Sequence, residues 1–299
     1  MADLNRLLLR TSRTFALCIP LLSEPLRAEV GIAYLLFRVA DTLEDAGLWP
    51  REERFAALSA FAGLLRSPSP ERARELASGW VRDRPCDHEG YLELLGETPA
   101  LFAELASFKS KPREAIVKHA LRTTEGMARF VAEGGEDGGL RLTTVEELRR
   151  YCHVVAGIVG ELLTELFIDA TPALERVSDA LWKNAGLFGE GLQLVNILKD
   201  ADADAREGRV YLPEGVERRA ILAMARADLD AAAEYVLTLQ EAGASRDIVA
   251  FTALPVLLAR ATHAEVERFG AGSTVSRVEV MAILGRLHQS LETGAPALS

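Results

Sequence analysis

The segment Gly186–Pro213, GLFGEGLQLVNILKDADADAREGRVYLP, restricts what this chain can fold into more than any other. Gln193, Asn196, Asp200 and Asp204 follow one another at steps of three, four and four residues. On an α-helix those steps place all four side chains on one stripe. Leu192, Leu194, Val195, Ile197 and Leu198 lie between them and would bury the rest of the helix. Two carboxylates, an Asn and a Gln on one stripe of a buried helix are costly unless something is bound there. Oxygen ligands one turn apart suit a hard cation such as Mg²⁺, which takes few carboxylates and keeps positions free for phosphate oxygens.

The stretch Tyr34–Asp45, YLLFRVADTLED, repeats the device: Tyr34, Arg38, Asp41 and Asp45 stand at steps of four, three and four. Asp41 and Asp45 share a helical face, with Arg38 almost one turn before Asp41. Two such helices facing each other would wall a cavity with carboxylates on opposite sides, a setting for a metal-bridged diphosphate.

The rest of the chain reads as helix, since Ala, Leu, Glu and Arg dominate and strand-like alternation is scarce. Helices are expected over 3–17, 25–45, 51–66, 98–108, from Pro112 to about Val131, from Thr144 to Phe167, and over 175–204, 217–241, 246–268 and 275–289. Ser67-Pro68-Ser69-Pro70 is a connector, 71–94 a short helix with loops, and Glu133–Gly139 a flexible loop. Pro255 is expected to kink or start a segment, and a weak tail to follow the last helix. No linker divides the chain, so residues 1–299 are expected to form a single all-α domain around a central apolar cavity.

Charge and cysteines narrow the function classes. A net charge of −10 argues against general nucleic-acid binding. Cys18, Cys86 and Cys152 are odd in number and widely spaced, which fits reduced thiols in a cytoplasmic protein. The N-terminus shows no signal-peptide pattern, and no uncharged apolar run approaches the ~20 residues that span a bilayer. The expectation is a cytoplasmic protein without a transmembrane segment, peripheral to a membrane at most. His88, His119, His263 and His288 show no metal-ligand spacing.

Taken singly, each feature has an ordinary reading. An aspartate pair is a solvated helix end, Tyr151 a core tyrosine, His153 a hydrogen-bonded packing residue, Arg13 and Arg209 surface arginines. Their order changes that. The chain carries S-R-T-F at Ser12–Phe15, Y-x3-R-x2-D-T-x-E-D from Tyr34, Y-C-H-x-V-A-G-x-V-G from Tyr151, Q-x2-N-I-x3-D from Gln193, and G-R-V-Y-L-P from Gly208. Together these resemble the squalene/phytoene synthase family of head-to-head prenyl transferases over nearly the whole chain. Tyr151–Gly160 and Phe251–Thr262 look nearer to squalene synthases than to phytoene synthases, and high Ala, Arg and Leu usage suggests the bacterial kind.

The resemblance implies an isoprenoid-synthase-type helical bundle. It makes Asp41 and Asp45 the first aspartate-rich motif and Asp200 and Asp204 the second, holding Mg²⁺ that grips the diphosphates of two farnesyl diphosphate molecules. Arg13, Arg38 and Arg209 match basic positions near those diphosphates. Ser12, Phe15, Tyr34, Gln193 and Asn196 match other substrate-binding positions, and Tyr151 the catalytic tyrosine. The implied reaction condenses two farnesyl diphosphates to presqualene diphosphate and reduces that to squalene with NADPH, with peripheral membrane contact for product release. Two alternatives stay open. A related enzyme would stop at presqualene diphosphate or make hydroxysqualene, dehydrosqualene or phytoene, and a non-enzymatic assembly protein would share only the fold. One departure stands out: where the family usually has Glu just before the last aspartate, this chain has Ala203. Asp202 cannot replace it, since it points about 160° away from Asp204.

Overall fold

The computed structural model describes residues 4–12, 14–134 and 139–298. Among them it is helical throughout, with no β-strand and one isolated parallel bridge, Arg141 to Val210. The chain packs as two compact units: Met1–Pro20 with Glu24–Gly138, and Leu21–Ser23 with Gly139–Ser299.

The first unit contains α1 (Leu4–Thr11), α2 (Phe15–Cys18), α3 (Leu26–Glu44), α4 (Arg51–Arg66), α5 (Pro70–Asp83), α6 (Glu89–Gly96), α7 (Thr98–Ser107) and α8 (Ser110–Glu133). Helix α3 is its spine. Ile32, Leu35, Leu36, Val39 and Leu43 are fully buried along it, and α8, α4 and α7 pack around it. Each such side chain contributes about 1.5–3 kcal/mol on leaving water, so α3 is held by its apolar faces. The expected helix over 3–17 is two helices. Ser12 Oγ accepts the Phe15 N–H at 3.0 Å, starting a new helix, as a serine that bonds nearby backbone tends to do. The stretch 71–94 is more regular than its composition suggests. Ser69 Oγ caps α5 by accepting the Arg72 N–H at 3.2 Å, and Pro70 takes the first helical position. Ala73, Ala77 and Trp80 then form a buried stripe, with Trp80 edge-on to Phe61 at 6.2 Å. Of the expected loop Glu133–Gly139, residues 135–138 lie outside the described residues.

The second unit holds α9 (Val145–Cys152), a π-helical turn at His153–Gly157, α10 (Ile158–Ala170), α11 (Ser178–Arg206), α12 (Arg218–Glu241), α13 (Arg246–Phe269) and α14 (Arg277–Thr293). Thr144 starts α9 as expected: its side chain accepts the Glu147 N–H at 3.1 Å, and Glu147 reaches back to the Thr143 N–H at 2.7 Å. Helix α11 is the centre, with α10, α12 and α13 against it. Rings lock these layers: Phe188 lies 5.3 Å from Tyr235, and Phe167 meets Phe251 edge-on at 6.1 Å. Pro255 does not divide α13, which runs unbroken from Arg246 to Phe269 with Leu254, Pro255 and Val256 buried. The tail is tied down, since Gln240 bonds the Ala295 carbonyl and the Ala297 N–H, each at 2.9 Å. Val145–Ala170 and Arg246–Phe269 are long and apolar enough to cross a membrane by length and composition. In each, 61% of the apolar window is buried inside the fold.

Candidate active site

Each unit carries one of the acidic pairs. In the first, Asp41 lies in the last turn of α3, and Asp45 caps the helix with its N–H bonded to the Asp41 carbonyl at 2.8 Å. Arg38 Nη1 reaches Asp41 at 3.3 Å and Nη2 donates to the Tyr34 hydroxyl at 3.2 Å. Tyr34 in turn donates to the Thr11 carbonyl at 3.4 Å and packs its ring 5.2 Å from Phe15. Ser12, Phe15, Tyr34, Arg38 and Asp41 are thus linked in one chain of contacts. Arg13 lies outside the described residues.

The electrostatics here are unbalanced. Burial pushes the Asp41 carboxyl up, Arg38 pulls it back and Asp45 adds to the rise, leaving it at about 6. Burial works against the charge on Arg38, but Asp41 and Tyr34 outweigh it and hold the guanidinium cationic. The Tyr34 and Tyr91 rings lie 5.8 and 5.9 Å from its carbon. Its Nε is buried and has no hydrogen-bond partner among the described residues.

In the second unit, α11 carries the other stripe. Leu194, Val195, Ile197 and Leu198 are buried, whereas Asn196 is exposed and Gln193, Asp200 and Asp204 are half-buried. The stripe is therefore the open face of the helix, not the buried one expected, and carrying it costs little desolvation. Asp200 is met by Lys199 Nζ at 2.6 Å and Asp204 by Arg209 Nη2 at 3.4 Å, an arginine that also pairs with Glu207. A tight turn brings Arg209 back: Gly208 sits at φ +82°, and the Arg209 N–H donates to the Asp204 carbonyl at 2.8 Å. Asp202 and Ala203 are both exposed.

Tyr151, on α9 of the same unit, is buried. Its hydroxyl donates to that of Tyr211 at 3.3 Å, and the two rings lie 5.0 Å apart. Tyr211 is fixed by the backbone beside it, where the Leu142 N–H bonds the Val210 carbonyl at 2.9 Å and the Val210 N–H the Leu140 carbonyl at 2.7 Å. The π-turn after Tyr151 lies flat on α11 because two glycines permit it. A Cβ at Gly160 would stand 1.9 Å from the Ala185 carbonyl oxygen, and one at Gly189 1.9 Å from that of Ala156. Beside this contact Arg149 pairs with Asp228 and, at 3.4 Å, with Glu190, whose other oxygen meets His153 Nδ1 at 3.0 Å. His153 is the hydrogen-bonded packing residue its sequence context suggests.

The donor sets fit a magnesium–diphosphate ligand. Among the described residues no three His, Cys, Asp or Glu side chains gather as a metal site. Each aspartate pair would thus supply at most two ligands to a Mg²⁺, which fills its octahedron with water and phosphate oxygens. A carboxyl short of positive charge at Asp41 and a buried unbonded donor at Arg38 suit a metal and an anion respectively.

Three neighbours escape sequence reasoning. Lys199 and Tyr211 sit inside the motifs themselves, one beside Asp200 and one within G-R-V-Y-L-P. Tyr91 carries no signal at all, since its place beside Arg38 comes from the packing of α6 on α3.

Comparison with known proteins identifies the family. A family model described as squalene/phytoene synthase matches residues 8–220. The squalene synthase of Eremothecium gossypii is 32% identical over 222 residues, 72% of this chain and 47% of that protein. Squalene synthase ERG9 of Gibberella zeae is 31% identical over 208 residues, 69% of this chain and 42% of its own length. The chain thus spans less than half the length of the curated relatives it matches. Of solved structures, the complex of TcSQS with the ligand E5700 superposes with a TM-score of 0.76 at 25% identity, covering 97% of this chain and 88% of that one. A dehydrosqualene synthase complex superposes at 0.61 with 19% identity, a likeness of fold alone. With its motifs set out on an all-helical frame and a family match across most of its length, the chain belongs to the squalene/phytoene synthase family.

Proposed function

We propose that this protein is a Mg²⁺-dependent prenyl transferase that condenses two farnesyl diphosphates head to head, through presqualene diphosphate, to squalene. The observation that carries the reading is the same kit in each unit: an aspartate pair one turn apart on the open face of a buried helix, with an arginine against one carboxylate. Both pairs are proposed to serve one substrate set, with residues 1–299 acting as one catalytic domain.

Asp41 and Asp45, and separately Asp200 and Asp204, would hold the metal, which when bound neutralises charge on a departing diphosphate. Arg38 presents donors to diphosphate oxygens, and its unused Nε is the donor best placed to gain a partner. Arg209 does the same beside Asp204. Ser12, Phe15, Tyr34, Gln193, Asn196 and Arg13 are assigned to substrate binding. When the carbon–oxygen bond of one substrate breaks, the diphosphate leaves with the electron pair. The double bond of the second chain attacks the allylic cation, and loss of one proton closes the cyclopropane. Tyr151 steers that proton through its hydroxyl. A phenol with an ordinary value near 10 is a weak base alone, and Tyr211 fixes its direction at 3.3 Å. Reduction of presqualene diphosphate to squalene consumes a hydride, for which NADPH is the proposed donor.

The test is a product assay with farnesyl diphosphate and Mg²⁺, with and without NADPH, read by gas chromatography–mass spectrometry. Squalene only with NADPH supports the full reading. Presqualene diphosphate, hydroxysqualene or dehydrosqualene regardless of NADPH keeps the condensation and removes the reduction. Phytoene from geranylgeranyl diphosphate changes the substrate, and no product from either points to an assembly role.

A further inference from the structure

The second unit contains a charged group that the proposed reaction does not use. Arg149 and His153 stand four residues apart on one face of α9 and the turn after it. Arg149 pairs with Asp228 of α12 and with Glu190 Oε2 of α11 at 3.4 Å, while Glu190 Oε1 meets His153 Nδ1 at 3.0 Å. His153 Nε2 lies 3.6 Å from Glu161 of α10. The carboxylates of Asp228 and Glu190 are only 4% and 11% exposed, whereas His153 is 39% exposed. Buried ion pairs are expensive, and apolar packing of the same volume often matches them in stability. What they supply is direction, because charges with fixed partners tolerate few arrangements.

Direction matters at this place. The turn His153–Gly157 is π-helical, and such a turn adds one residue, rotating the downstream helix by about 100°. Before it, Tyr151 lies two residues from both Arg149 and His153 and so points the opposite way, to Tyr211. At its end, Gly157 faces the cluster: a Cβ there would stand 2.6 Å from His153 Nδ1 and 3.0 Å from Glu190 Oε1. Glu190 also lies three residues, almost one turn, before Gln193 on the stripe of α11. One carboxylate therefore ties the helix bearing Tyr151 to the helix bearing Gln193, Asn196, Asp200 and Asp204.

We propose that Glu190 is a positioning residue for the reaction: by bridging Arg149 and His153 it holds the π-turn in register on α11 and thereby sets the direction of the Tyr151 hydroxyl. This rests on the reading that Tyr151 acts in the chemistry, so the test has a readout that needs no turnover. The full chain is labelled with 3-fluorotyrosine, and the Tyr151 ¹⁹F resonance is identified by its loss in Tyr151→Phe. Glu190→Ala should move or broaden that resonance and leave that of Tyr91 in place. Glu190→Gln, with the same length and both contacts available, should restore it. His153→Leu breaks one arm of the bridge at a partly exposed side chain and should shift it in the same sense should Glu190→Ala not fold. With farnesyl diphosphate, Glu190→Ala should lower kcat at least about tenfold with KM within about threefold, the mark of a misdirected group rather than lost binding. An unmoved Tyr151 resonance in both variants overturns the proposal, and so does a moved resonance with unchanged kcat. A moved resonance in a protein inert towards farnesyl diphosphate would remove the transferase reading and still support the coupling of Glu190 to Tyr151.

Discussion

The two aspartate pairs share their spacing but not their company. Asp200 and Asp204 lie on an open stripe and each has a basic side chain of its own, Lys199 at 2.6 Å and Arg209 at 3.4 Å. Asp41 shares a single arginine with the Tyr34 hydroxyl, has Asp45 as a like-charged neighbour, and is pushed up to about 6. Equal spacing in a sequence therefore does not mean equal electrostatics. On the proposed reading, the first pair is the one that a metal would relieve. The second is already countered by Lys199 and Arg209 and would give up those contacts on binding one.

This contrast can be broken experimentally. The largest effect expected is loss of turnover. Asp41→Asn and Asp200→Asn should each lower kcat/KM for farnesyl diphosphate by about 10³-fold or more, equivalent to some 4 kcal/mol of lost charge stabilisation. A pair whose replacement costs less than about tenfold is not a metal site.

Next come the arginines. Arg38 lies against the Tyr34 and Tyr91 rings, whereas Arg209 also leans on exposed Glu207. Arg38→Lys keeps the charge and loses the planar fork, and should raise the Kd for Mg²⁺–pyrophosphate about tenfold or more; Arg209→Lys should cost less. Calorimetric titration of both variants ranks them, and the reverse order would mean that the second unit dominates diphosphate binding.

The pH response should be smaller and specific to the first pair. A carboxyl raised to about 6 binds a proton in competition with Mg²⁺, so apparent affinity should fall up to about tenfold per pH unit below that value, and Asp41→Asn should remove this slope. Without metal the sign for stability is opposite. The folded chain keeps a proton that the unfolded chain releases, so stability should fall as pH rises from the ordinary aspartate range to about 6. Melting curves across that window, wild type against Asp41→Asn, would show it. The smallest effect belongs to Ala203→Glu. Position 203 is exposed and Asp204 already has Arg209, so kcat/KM should change less than about threefold.

Much of the site was legible because helical spacing converts sequence distance into shared faces. Tyr34, Arg38 and Asp41 meet as their steps imply, and α11 buries Leu194, Val195, Ile197 and Leu198 away from its polar stripe. Local chemistry misled in two places. Ser12 splits the first expected helix because its hydroxyl competes for backbone, and residues 71–94 are more helical than their Gly and Pro content suggests because Ser69 and Trp80 anchor α5.

The sequence by itself determined the helices, their apolar faces, and which aspartates share a turn, since all of these depend on residues within about one helical turn of each other. Tertiary structure decided what each charge meets. Tyr91 beside Arg38, Tyr211 beside Tyr151, and Glu190 between Arg149 and His153 join residues that are 53, 60, and 41 and 37 positions apart. No periodicity encodes such pairs. They follow from which helices pack together, and from glycines such as Gly160 and Gly189 that let two backbones close to a distance no side chain would allow.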